Sequence, residues 1–520
     1  MTLAVFLMRF LRAFRAALTR RAALPWCVWC FVFVALCASG RPKPINGDAR
    51  LMCEAADSLL TGGGMAVAKT RTDIARGPSG KFYVKYPLLT VLQCVPAQVL
   101  RRVAELAAPK SPALPGFAVG VVPHAVAATL AVGVLQLAAA VGAAPAHAAV
   151  LALASVFTTP LWGAGRSLYS EALQAMLTVW TLVVWLRARD GKRRFTFFVG
   201  GLLFGMCLNT KILLAVLPLA VLIDQWHERW DRTRLISFAC AVAGLLPWLA
   251  LAAGYSYLRY GNVLSQGYGA ERDASMGFNV PLWSGLYALL FSSGKSVFLY
   301  APLLVASVYG VPSLWRSQRR DLWLLAIPCL FLLLTAAKWW DWSGDWGWGP
   351  RLLTPVIPLA CIPALVALER RGIPRNAFVL LAAAGFAVQA LSVIVSTTLY
   401  LQQMQPRNVA ALGTRNGFEV RDDLLLLHFV PEMSPIAGQA FLVQRYFSDD
   451  KWTKDTPYPW QTLAVSKFAP RNDPTPRAHD LWFDRTPFAL GLEAALVVLI
   501  LLCGGWLVVV LRAPAPPSLQ

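Results

Sequence analysis

Apolar residues in this chain gather in long unbroken stretches instead of alternating with polar ones. The runs cover roughly 23–39, 115–142, 146–164, 168–186, 195–209, 211–226, 235–255, 296–314, 322–337, 352–368, 376–400 and 487–511. A helix needs about 20 such residues to cross a hydrocarbon layer about 30 Å thick. The pattern therefore predicts an all-α polytopic membrane protein with about twelve transmembrane helices. Two runs, 195–209 and 211–226, are short for a crossing. They make best sense as a hairpin whose tip, Asn209-Thr210-Lys211, reaches the opposite face. The first run follows Arg9, Arg12, Arg15, Arg20 and Arg21, and its end, Ala35-Leu36-Cys37-Ala38-Ser39, is similar to a signal-peptide cleavage site. It is read as a retained span, because only then does the rest of the topology close.

With the N-terminus cytoplasmic, the inside loops are 187–194 (Arg187, Arg189, Lys192, Arg193, Arg194), 227–234 (Arg229, Arg232, Arg234), 315–321 (Arg316, Arg319, Arg320) and 369–375 (Arg370, Arg371, Arg375). All are basic, as the positive-inside rule requires, and an even number of spans puts both termini in the cytoplasm. The other face receives the larger segments 41–114, 256–295, 338–351 and 401–486.

The first of these segments predicts interfacial helices. Over 48–60, Leu51, Met52, Ala55, Ala56, Leu59 and Leu60 share one helical face, and Gly62-Gly63-Gly64 ends it. A second helix runs from Leu88 to Leu106 with a kink at Pro96, and a third candidate spans Leu282 to Phe291. Cys53 and Cys94 fall on the first two helices, in a compartment that permits a disulfide between them.

Composition sharpens this picture. Of 520 residues, 57% are apolar and 14% charged, with mean hydropathy +0.54. Soluble domains carry about 25% charged residues, so a soluble enzyme and a disordered chain are both excluded. The net charge of +21 would suggest nucleic acid in a soluble protein. Here it is tested first against the positive-inside rule, which the basic inside loops largely satisfy, and no nucleic-acid partner is expected. Ten Cys show no zinc spacing, and His124, His147, His227, His428 and His479 are isolated. There is no Walker A loop and no G-x-S-x-G elbow. The spans lack the mid-membrane charges on which ion-coupled transporters depend.

The candidate chemistry lies in the outer segments. Asp48 opens the first interfacial helix, where it would serve either as an N-cap or as a general base held at the membrane surface. In Lys81-Phe82-Tyr83-Val84-Lys85-Tyr86-Pro87, Lys85 and the helix start after Pro87 suit a lipid phosphate, with Tyr86 beside it; snorkelling of Lys85 to headgroups is the plainer alternative. Lys211 shares that choice. The segment from Lys338 to Arg351 holds five Trp within ten residues. Trp340, Asp341, Trp342, Asp345 and Trp346 form a candidate sugar or acceptor platform, indole faces stacking on the sugar while carboxylates take hydroxyls. Arg351 can grip phosphate through its planar fork.

Taken together, Gly47-Asp48-Ala49-Arg50, the Gly80-to-Leu89 stretch, Arg166-Ser167-Leu168-Tyr169-Ser170-Glu171-Ala172-Leu173, the Gly-x-x-x-Gly segment leading to Lys211, Gly261-Asn262 with Gly267-Tyr268, and Trp346-Gly347-Trp348-Gly349-Pro350-Arg351-Leu352-Leu353-Thr354-Pro355 resemble GT-C class integral-membrane glycosyltransferases. The branch it resembles is that of protein O-mannosyltransferases and lipid A aminoarabinose transferases. The resemblance implies a GT-C-like catalytic region over 1–400 with first outer loop 41–114, a loop or small cap over 401–486, and a last helix with cytoplasmic tail over 487–520. It also implies transfer of one sugar, with inversion, from a polyprenyl-phosphate carrier to a lipid, glycan or protein hydroxyl on the non-cytoplasmic face of a bacterial inner membrane. Asp48 would be the catalytic base, and Lys85, Lys211 and Arg351 would hold the donor phosphate. Ala49 stands where that family has a second acidic residue, and Tyr86 where it has a proline. These departures leave a divalent metal an open requirement, with no metal ligand assigned. A polyprenol-linked glycan transporter or flippase and a non-catalytic envelope-assembly protein are the alternative readings.

Overall fold

A computed structural model describes residues 23–41, 47–68, 74–111, 113–191, 194–225, 231–267, 277–344, 347–397, 400, 401, 404, 425–447 and 487–512. Its helices, in chain order, are α1 Leu24–Ala38, α2 Gly47–Leu60, α3 Leu88–Leu92, α4 Cys94–Ala107, α5 Ala113–Ala140, α6 Pro145–Phe157, α7 Ser170–Gly191, α8 Arg194–Leu208, α9 Val216–Gln225 and α10 Arg232–Tyr260. They continue with α11 Leu282–Phe291, α12 Leu303–Ser317, α13 Arg319–Lys338, the mixed 3-10 and α run α14 Arg351–Glu369, α15 Ile373–Ile394, α16 Leu425–Phe429, α17 Pro435–Phe447 and α18 Pro487–Arg512.

Each of the twelve apolar runs is helical over most of its described residues, and the chain is an all-α polytopic membrane protein. Among the described residues six helical stretches are long and apolar enough to cross a membrane alone: Leu114–Ala140, Arg232–Tyr260, Arg319–Lys338, Arg351–Glu369, Ile373–Ile394 and Gly491–Arg512. Shorter ones work in company. The tip between α8 and α9 is tied to α3, since Leu89 N donates to the Asn209 carbonyl at 3.0 Å, and Asn209 Nδ2 reaches the Trp248 carbonyl on α10 at 3.0 Å. Helix α8 lies so close to α10 that a Cβ on Gly201 would meet the Ala241 carbonyl oxygen at 1.8 Å, and one on Gly244 the Phe198 carbonyl at 2.1 Å. Small residues allow this approach, which is how helices associate where no water drives them together. Helix α1 packs between α5 and α18. The main core joins these helices through residues such as Val28, Leu130, Leu151, Val183 and Leu359.

The first outer loop has its own core, built from Ala49, Met52, Cys53, Ala56, Val84, Val91, Cys94 and Leu168. Helix α2 buries the expected face except at its end, where Leu59 is 38% exposed. The second interfacial helix is broken, not merely kinked, between α3 and α4. Pro96 cannot bond to Leu92 and its ring crowds that carbonyl, which is where α3 stops. Asp57 bridges to Arg102 at 2.8 Å and Arg101 at 3.4 Å, tying α2 to α4. A two-stranded hairpin, β1 Ile74–Arg76 and β2 Phe82–Val84, precedes α3. Cys53 and Cys94 meet as expected but stay free thiols, Cys94 Sγ also donating to the Thr90 carbonyl at 3.6 Å. The expected disulfide is therefore not present.

Helix α7 links the two ends of the bundle. From Glu171 to Arg189 it rises about 27 Å, one hydrocarbon thickness. At the Arg189 end, Asp224 is buried and accepts from Arg320 Nε at 2.7 Å, Arg189 Nη1 at 3.3 Å and Trp185 Nε1 at 3.1 Å, while Arg189 Nη2 reaches Asp321 at 2.9 Å. These bonds clamp α7, α9 and α13 together.

Candidate active site

At the other end, three segments distant in sequence converge. Gly47 takes a left-handed φ of 48°, and a Cβ there would lie 2.6 Å from the Tyr169 hydroxyl, so both backbone conformation and space require glycine. The chain then enters α2 with Asp48 in its first turn, and the carboxylate turns toward α14. Asp48 Oδ2 accepts from Arg351 Nη2 at 2.8 Å, and Glu171 Oε1, in the first turn of α7, accepts from Arg351 Nε at 2.5 Å. The guanidinium also lies over the Tyr169 ring, 4.6 Å from its centroid. Asp48 is thus more than a cap: its side chain serves a long-range pair.

The electrostatics of Asp48 are set by competition. Burial alone would raise its pKa. Arg351, by charge and hydrogen bond, then the Tyr86 hydroxyl and the Lys85 charge, outweigh burial and hold the carboxyl below its usual 3.8. Its side chain is still 37% exposed, against 10% for Glu171. Glu171 Oε2 is buried and has no hydrogen-bond partner among the described residues.

Lys85 and Lys211 border this cluster. The Lys211 ammonium is lowered to about 8 because burial disfavours its charge; Glu171 works against that shift and Arg351 with it. Its Nζ makes no hydrogen bond among the described residues. Lys85 is carried by the strand-to-helix turn and lies 5.7 Å from the Tyr86 ring centroid. That turn is fixed from α10: buried Arg259 donates through Nη1 to the carbonyls of Lys85 at 2.8 Å and Tyr86 at 3.0 Å, and stacks on Tyr255 at 4.1 Å.

The Trp-rich segment is anchored more than displayed. Trp342 packs on His428 and Phe429 of α16, at 5.4 and 6.0 Å between ring centroids. Trp348 packs edge-on against Tyr300 at 5.0 Å and donates to Gln389 Oε1 at 3.1 Å. Trp340 N bonds to the Gly277 carbonyl, and Asp341 accepts from the Ser343 hydroxyl at 3.3 Å, closing a turn. Asp345 and Trp346 lie outside the described residues. Buried Lys295 donates to the Gly347 carbonyl at 2.8 Å, and a Cβ on Gly347 would come within 2.7 Å of Arg351 Cδ. The segment therefore folds back along the stem of Arg351 and fixes where its fork points.

The structure thus gathers Asp48, Lys85, Tyr86, Lys211 and Arg351, and gives Trp342 a packing role. It adds Glu171 and Tyr169, which the sequence shows only inside a motif, and Arg259, which no motif singles out. Glu171 followed by an apolar run reads as a first-turn acid favoured by the helix dipole. Nothing local signals its partner 180 positions away. Among the described residues no three His, Cys, Asp or Glu side chains come together. The two carboxylates that a divalent metal would need are both engaged by Arg351, so the arrangement does not fit a metal.

The chain is similar to ArnT from Cupriavidus metallidurans bound to undecaprenyl phosphate, at 13% identity and a TM-score of 0.45, covering 94% of this chain and 76% of that one. It is similar also to ArnT from the same organism in the apo state, at 15% identity and a TM-score of 0.42, covering 94% and 73%. No family model and no curated protein matches the sequence.

Proposed function

We propose that the chain is a glycosyltransferase that moves one sugar from a polyprenyl-phosphate carrier to a hydroxyl of a lipid, glycan or protein on the non-cytoplasmic face. The observation that carries this reading is the meeting of Asp48 and Glu171 on Arg351 at one end of a membrane bundle, with two lysines at the rim. Such a site offers a proton acceptor beside cations suited to an anionic leaving group such as a lipid-linked phosphate.

In this reading Asp48 takes the proton of the acceptor hydroxyl as its oxygen attacks the anomeric carbon. The bond from that carbon to the phosphate oxygen breaks on the opposite side, and its electron pair leaves with polyprenyl phosphate. Arg351 and Lys211 neutralise the charge that develops, an interaction that is strongest where water is excluded. Phosphate oxygens arriving at Arg351 compete with both carboxylates for the guanidinium. Donor binding would thus loosen Asp48 and raise its affinity for a proton at the moment it is needed.

The test is direct. The purified protein, in vesicles, is offered radiolabelled polyprenyl-phosphate sugars, and transfer to acceptor and release of polyprenyl phosphate are followed. Consumption of one donor by the intact protein but not by Asp48→Asn is the expected result; consumption of none would defeat the proposal.

A further inference from the structure

At the end of the bundle remote from Asp48, a cavity of about 310 Å³ opens between α12, α14 and the turn after α5. It sits at the far end of the same helical run that starts with Arg351, since Glu369 and Arg370 close that run. Its depth is marked by the half-exposed pair Trp315 and Trp323, 5.4 Å apart, as in an aromatic belt at the headgroup level. The neighbouring outward face of α12 presents Val305, Val308 and Val311, 39% to 60% exposed, as a lipid-facing surface would.

The cavity has two kinds of wall. Leu314, Leu365 and Val366 line it with apolar surface, whereas Gln318, Glu369 and Arg370 are polar lining residues. Gln318 Nε2 is spent on the Val141 carbonyl at 2.9 Å, which fixes the amide and leaves its Oε1 buried with no partner among the described residues. An orphaned acceptor calls for a donor, and its cost is recovered only when one arrives. Arg370 gives one bond to the Tyr309 hydroxyl at 2.8 Å and keeps the rest of its fork. Glu369, whose Oε1 lies 3.8 Å from His147 Nδ1 and whose side chain is 43% exposed, and the amide oxygen beside the Arg370 guanidinium match a headgroup bearing both an ammonium that donates and a phosphate.

We infer that this cavity binds an aminophospholipid, phosphatidylethanolamine in chemical class. Its ammonium would bond to Glu369 and Gln318 Oε1, its phosphate would bond to Arg370, and its chains would run along α12. A quaternary choline cannot donate those hydrogen bonds, and a glycerol headgroup offers Glu369 no positive charge. The inference stands apart from any activity of the protein.

The test uses the full chain in vesicles of equimolar phosphatidylethanolamine, phosphatidylcholine and phosphatidylglycerol, extracted and examined by native mass spectrometry for retained lipid. Phosphatidylethanolamine should be enriched roughly threefold over phosphatidylcholine, a modest factor because Glu369 is partly exposed. Glu369→Gln and Gln318→Leu should each erase that preference, and Arg370→Gln should lower retention of all three. Equal retention of ethanolamine and choline lipids, a preference for phosphatidylglycerol, or a preference unchanged in both Glu369→Gln and Gln318→Leu would overturn the assignment.

Discussion

Arg351 Nη2 lies 2.8 Å from Asp48 Oδ2 and joins residues 303 positions apart, the start of the first interfacial helix and the end of the Trp-rich segment. A candidate base and a candidate phosphate ligand, chosen separately from the sequence, are each other's partners. The pair is partly open to solvent, with Asp48 37% and Arg351 23% exposed, so its contribution to stability is small. Its value lies in position, because neither group can move without changing the other.

Asp48→Asn separates structure from chemistry. The amide keeps the size of the side chain and can still accept a hydrogen bond from Arg351, so the protein is expected to fold and bind donor nearly as before. It cannot accept a proton, and removal of a positioned base lowers rate by about 10² to 10⁴. Single-turnover transfer by Asp48→Asn at close to the parental rate would reduce Asp48 to a structural role.

Arg351→Lys keeps the charge and loses the fork. A lysine cannot bond Asp48 and Glu171 in parallel, nor hold phosphate through two bonds. Donor KM is expected to rise roughly tenfold, an effect of about 1.4 kcal/mol. Glu171→Gln, which leaves Arg351 with one anionic partner, should instead lower kcat with a smaller change in KM. Identical kinetic changes in the two variants would argue against separate roles.

Much of the fold was legible because the membrane imposes it. A run such as 235–255 has no alternative to a helix when every backbone group must be satisfied internally. The hairpin tip at Asn209-Thr210-Lys211 was legible for the same reason, from basic loops on either side. What stayed hidden was tertiary. Two three-residue strands, Ile74–Arg76 and Phe82–Val84, carry no periodicity of their own. Glu171 and Arg259 act on residues 180 and 174 positions away, and such pairing leaves no local trace. Trp342 looked like a sugar platform because its packing partners, His428 and Phe429, belong to a distant segment.

Packing between α8 and α10 yields a stability prediction. Gly201→Ala would put a methyl group into the Ala241 carbonyl and force the helices apart, at a cost of about 1–3 kcal/mol. Gly254, on the same α10, has nothing within 4 Å, so Gly254→Ala should be neutral or slightly stabilising. Thermal melts in detergent check both, and equal midpoints for the two variants would contradict the close approach.

The pH dependence of transfer follows from two groups shifted in the same direction for different reasons. Asp48 is held below 3.8 despite its burial, mainly by Arg351, so without donor it stays ionised as pH falls, and kcat/KM should show no acid limb above about pH 5. Lys211 is lowered to about 8 by burial, so its ammonium is present at pH 7 and lost above pH 8. If Lys211 holds the donor phosphate, donor KM should be flat from about pH 5 to 7.5 and then climb, with kcat following only where donor is limiting. Lys211→Arg decides the assignment, because a guanidinium remains charged throughout this range and should remove the alkaline limb while leaving neutral activity in place. An alkaline limb that persists unchanged in Lys211→Arg would move the titration to another group and take Lys211 out of the donor site.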